Sequence, residues 1–86
     1  MKKVMNVQEV SGEGLESLLG EKVVVWCGVY IYSGTLTGVN QDDILLTNAC
    51  VVYETGPLKG PLKDAQELPN DLYVRTGAIE AYYKAG

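Results

Sequence analysis

Residues 32–41 read Tyr32-Ser33-Gly34-Thr35-Leu36-Thr37-Gly38-Val39-Asn40-Gln41. With Tyr30 and Ile31 in front, the part that ends at Thr37 is aromatic, β-branched and hydroxylic, which is the composition of a strand. Gly34 stands inside it. A glycine there gives up packing area, so it marks a bulge or tight bend of the kind a small barrel needs. From Gly38 to Asp43 the chemistry changes to Gly-Val-Asn-Gln-Asp-Asp, which reads as a turn.

On the N-terminal side, residues 22–27 (KVVVWC) are a nearly continuous β-branched run, hence a buried strand with Trp26 in the core, and Gly28 marks a turn after it. On the C-terminal side, residues 44–53 (ILLTNACVVY) form a third, long strand. Residues 72–76 (LYVRT) and 78–83 (AIEAYY) read as two short strands flanking Gly77. Between the third and fourth strands, residues 54–71 hold all three prolines and repeat Gly-Pro-Leu-Lys at 56–59 and 60–63. That segment reads as a variable loop without regular structure, either a solvated excursion or a contact with a partner or another subunit. A short helix fits residues 12–19, with Ser11 as N-cap, Val10 and Leu15 as a hydrophobic staple and Glu13 in the first turn. Leu15, Leu18 and Leu19 would share its apolar face, and Gly20 would stop it. The expectation is one mainly β domain over residues 1–86, a short N-terminal helix followed by a five-stranded antiparallel small barrel. Closing such a sheet removes edges that would otherwise pair indiscriminately.

Composition removes several function classes. The 86 residues contain no histidine, so Ser-His-Asp or Cys-His catalysis and histidine-bound metals are excluded. A net charge of −4 argues against a basic face for duplex DNA. Cys27 and Cys50 both lie in apolar runs and read as packing thiols, while spacing alone leaves their pairing open. No stretch approaches the ~20 apolar residues that cross a bilayer, and no signal-peptide pattern opens the chain. A soluble cytoplasmic protein, not an enzyme, without cofactor or metal, is expected.

The stretch from Tyr32 to Gln41 resembles the first signature of the Sm-like (Sm/Lsm/Hfq) RNA-binding proteins, an aromatic-x-Gly-x-Leu-x-x-apolar-Asp pattern. Val74-Arg75-Thr76-Gly77-Ala78-Ile79 resembles their second, an apolar-Arg-Gly pattern, here interrupted by Thr76. The resemblance covers roughly residues 12–83 and makes the chain a small, acidic, divergent relative. It implies a strongly bent, five-stranded SH3-like barrel capped by the helix. It also implies homo-oligomeric rings of about five to eight copies, closed when strand four of one subunit pairs with strand five of the next. Leu72, Tyr73, Val74, Ile79, Tyr82 and Tyr83 would supply that interface.

In the family, short single-stranded RNA binds around the pore, on a stacking side chain and an asparagine of the loop after strand two and on the arginine of the second signature. The resemblance therefore implies an RNA site at Asn40, Asp42, Asp43, Arg75, Thr76 and Gly77. The motif aspartate is Asn40 here, the stacking position falls on Asp42 and the asparagine on Asp43. Carboxylates repel phosphate, so each subunit would bring two negative charges to the pore. Arg75 could instead bridge to Asp42, Asp43 or Asn40, a geometry its fork suits. Asp42 and Asp43 could gather a divalent cation or simply solvate the turn, and the tyrosines could stack bases or fill core and interface. The expected function is a ring-forming RNA-binding protein of RNA metabolism or riboregulation; the alternative is a ring that has lost RNA binding and acts as a protein-interaction scaffold.

Overall fold

The computed structural model describes residues 14–57 and 61–85. Ser11, Val10 and Glu13 lie outside the described residues.

The β-branched run Lys22–Cys27 forms β1, with the bounds its composition predicts. β2 (Ile31–Val39) and β3 (Asp43–Glu54) follow as an antiparallel hairpin. β4 (Asp64–Glu67), β5 (Leu72–Arg75) and β6 (Ile79–Lys84) complete one antiparallel sheet. Its order is β4-β3-β2-β1-β6, with β5 also on β3. The far edge of β3 is shared: Asp43–Leu46 pair β5, and Cys50–Glu54 pair β4.

Both sides of the sheet bury side chains: Val24, Cys50 and Val52 are buried outside the main cluster. Val23, Val25, Leu36, Ile44, Leu46, Ala49 and Val74 form the core, each at most 5% exposed. Burying one Val, Leu or Ile fully contributes about 1.5–3 kcal/mol, so these few side chains dominate the stability. Ser33 is also fully buried, and its hydroxyl donates to the Val23 carbonyl at 2.8 Å, which removes the cost of an unpaired polar group.

The sharp feature lies between β2 and β3. The register slips there, so that Asn48 and Ala49 together oppose Gly34. Asn48 takes a left-handed φ of 51°, a conformation that asparagine tolerates better than most residues. The bulge presses the β3 backbone onto Gly34. A Cβ at Gly34 would lie 3.0 Å from the Thr47 carbonyl oxygen and 3.1 Å from the Ala49 Cα.

Several expectations are corrected. The eight-residue helix is a single 3₁₀ turn, Leu15–Leu18. In a 3₁₀ turn residues i and i+3 eclipse, so Leu15 and Leu18 both pack on the core and Leu19 is left 48% exposed. Gly20, at φ 85°, then turns the chain into the sheet, where its N–H donates to the Leu36 carbonyl at 2.7 Å. The described residues form six strands, since residues 64–67 of the expected loop form β4. All four of its side chains are exposed, so no apolar pattern announced it; backbone pairing with β3 makes it. Trp26 is half-buried and stands outside the core, because neighbouring Val25 takes the inward face. Among the described residues the sheet is unclosed: β5 and β6 do not pair, and the 3₁₀ turn Thr76–Ala78 joins them. Cys27 is half-buried, Cys50 is buried, and both are free thiols. No described helix is long and apolar enough to cross a membrane.

Gly34→Ala forces the β2–β3 crossing apart and is expected to cost about 1–3 kcal/mol. Urea unfolding measures it; a variant as stable as the parent would show that β3 does not rest on this glycine.

Candidate functional site

The two expected RNA-contacting segments, 35 residues apart in sequence, meet at one end of the sheet. Asp43 opens β3 and stands across the ladder from Arg75, the last residue of β5. The chain then enters the turn Thr76–Ala78, whose first N–H donates to the Asp42 carbonyl at 2.9 Å. A longer bond of 3.4 Å runs from the Thr76 hydroxyl to the Gln41 carbonyl. Thr76, which interrupts the Arg-Gly pair, thus ties the two loops together. Asp42, Asp43, Arg75, Thr76, Gly77 and Ala78 line an open depression. Nothing lies within 4 Å of where a Gly77 Cβ would sit, so the floor there is accessible backbone.

Asn40 stands beside this depression with its donors engaged. Its Nδ2 donates to Asp43 Oδ1 at 2.8 Å, and its backbone N–H donates to the Asp43 carbonyl at the same distance. These two bonds close the β2–β3 turn. Arg75 is exposed, and no carboxylate lies within 4 Å of it among the described residues, whose ion pairs are Lys63–Glu54 and Lys84–Glu21. The bridging role for Arg75 is therefore not realised. One guanidinium and two carboxylates leave 1 − 2 = −1 at the site. Among the described residues no three Cys, Asp or Glu side chains converge as a metal site. Ala78 lies inside the second-signature stretch and is the lining residue outside the expected RNA-contacting set.

The expected interface residues divide by strand period. On β5, Leu72 and Val74 point inward, while Tyr73 (62% exposed) and Arg75 point outward. The Val74 side chain is 5% exposed and belongs to the chain's own core. On β6, Tyr82 is exposed, and Ile79 and Tyr83 are half-buried. No known family model matches the chain, and no curated protein matches it.

At the far end of β1, burial pushes the Cys27 thiol above its ordinary value, and the Glu80 carboxylate pushes it further. Burial likewise raises the Tyr32 phenol, with smaller contributions from Cys27 and Tyr30. Glu80→Gln should lower the Cys27 value part of the way, raise the thiolate fraction, and so speed alkylation by iodoacetamide at pH ~8.5. Equal rates in parent and variant would remove Glu80 as a cause.

Proposed function

We propose that the chain is the subunit of a Sm-like ring that binds short single-stranded RNA at its pore. The observation that carries the assembly is the pair of strand edges on β5 and β6 that have no partner among the described residues. Each presents unpaired backbone groups, and an edge left open invites another strand. Pairing β5 of one copy with β6 of the next is a heterologous contact, which closes into a ring when the rotation permits. Tyr73 and Tyr82, both exposed on those strands, supply apolar area for the joint.

The RNA reading is supported by Arg75. Its guanidinium is exposed and unpaired among the described residues, beside the open backbone at Gly77. About five to eight copies would repeat that cation around one axis. A specific observation favours a second reading, a ring that serves as a protein scaffold. The position where the family's asparagine would read a base edge is Asp43, a carboxylate that already accepts from the Asn40 amide, and two carboxylates accompany each arginine.

Native mass measurement tests the ring; a monomer at micromolar concentration would overturn it. Fluorescence anisotropy with U-rich and A-rich oligonucleotides at ~50 and ~200 mM salt tests the ligand, since phosphate contacts weaken steeply with salt. Arg75→Gln is expected to reduce affinity at least about tenfold with the assembly mass unchanged. No binding to either oligonucleotide at low salt would leave the scaffold reading.

A further inference from the structure

Three of the six tyrosines share one face at the opposite end of the sheet. Val25, Tyr32, Val51 and Gln66 stand in register across β1, β2, β3 and β4. One pleat further on, the Cys27 N–H donates to the Tyr30 carbonyl at 2.8 Å. Ile31 pairs with Val52, which sets Tyr30 level with Tyr53. Residues two apart on a strand share a face, which puts Tyr30, Tyr32 and Tyr53 on one side of the sheet, with Tyr32 half-buried against the core and Tyr30 and Tyr53 outermost. The Tyr30 and Tyr32 ring centroids are 6.2 Å apart with planes tilted by 33°. The Tyr53 hydroxyl donates to Gln66 Oε1 at 2.9 Å, which holds its ring on the sheet. Tyr30 and Tyr53 are nonetheless 56% and 62% exposed, and Val29 beside them is 85% exposed.

The border of this face is acidic. The Glu80 carboxylate closes over Gly28, where an added Cβ would meet it at 3.2 Å. Glu54 and Asp64 stand opposite each other beyond Tyr53. The nearby cation, Lys63, is paired with Glu54 at 3.2 Å. A row of tyrosines held by the sheet loses little freedom on binding and offers flat apolar faces together with hydroxyl groups. A polyproline II helix is the matching ligand: its rings pack on aromatic faces, and its carbonyls have no internal partner and accept from hydroxyls. The carboxylate border adds a requirement for a cation on that ligand.

We propose that the Tyr30–Tyr32–Tyr53 face docks an extended, proline-bearing peptide carrying Lys or Arg, with the basic side chain on Glu80. The inference does not depend on the ring or on the RNA reading. Single-stranded RNA is disfavoured at this face because the same carboxylates repel phosphate and no unpaired lysine or arginine borders it among the described residues.

The test is fluorescence anisotropy with the labelled peptide Arg-Pro-Pro-Leu-Pro-Pro-Arg, its analogue with Glu in place of each Arg, and a U-rich oligonucleotide. The Arg peptide is expected to bind saturably and to outcompete the Glu analogue. Tyr30→Ser and Tyr53→Ser should each weaken it about tenfold, and Glu80→Gln about threefold with loss of the preference for Arg. Amide chemical-shift mapping on the unmodified protein should place the perturbed signals at Tyr30, Tyr32, Tyr53 and Glu80, which keeps the test valid if a variant misfolds. Absence of saturable binding, or perturbations elsewhere, would overturn the proposal. So would oligonucleotide binding that maps to these tyrosines.

Discussion

The absence of one side chain, at Gly34, is the constraint on which the rest of the fold depends. Because β3 can press its backbone onto β2 there, two of its residues fit against one and the strand bends at Asn48. The bend divides β3 into two working halves. Before it, Ile44 and Leu46 enter the core and the edge takes β5. After it, the strand runs on as an arm whose edge takes β4. The bend sends the two stretches of one edge, Asp43–Leu46 and Cys50–Glu54, in different directions. The long dimension of the molecule, 46 Å against 24 and 21 Å, fits a small core with such an arm attached.

The sheet treats its edges unequally. β4 is short, all its side chains are exposed, and it carries Asp64 and Glu67, the features by which an edge is kept from pairing with other chains. β5 is equally short and ends in Arg75, and β6 carries Glu80 and Lys84, but unlike β4 both strands carry tyrosines, Tyr73, Tyr82 and Tyr83. That aromatic area is what the proposed ring would bury at the β5 and β6 edges. The two proposed binding surfaces lie at different places in the sheet. The depression around Arg75 lies at the start of β3 and the end of β5, while the tyrosine face lies at the turn between β1 and β2 and along the arm.

What the sequence made legible follows from local physical chemistry. The run KVVVWC could be little other than a strand, and β1 has the predicted bounds. Gly34 announced a distortion, and the distortion is there. The two motif segments that carry Asp43 and Arg75 do meet, as neighbours on one ladder. The errors have equally local causes. Three leucines at helical spacing cannot distinguish an α-helix from one 3₁₀ turn, and Leu19 went to solvent. β4 has no apolar alternation, so nothing in Asp64–Glu67 separated it from a loop. Trp26 looked like core because its run is apolar throughout, which hides the parity that faces it away.

By itself, then, the sequence determined the mainly β class, the places of five strands, the position of the bend and the exclusion of histidine chemistry. These depend on residue type and near-neighbour spacing, which a linear chain carries in full. Only the tertiary structure decided that the sheet stays open between β5 and β6, that Arg75 meets no carboxylate while Asn40 is held by Asp43, and that Tyr30, Tyr32 and Tyr53 share one face. Each of these depends on register between strands distant in sequence. A shift of one residue in that register would have turned every side chain to the opposite face.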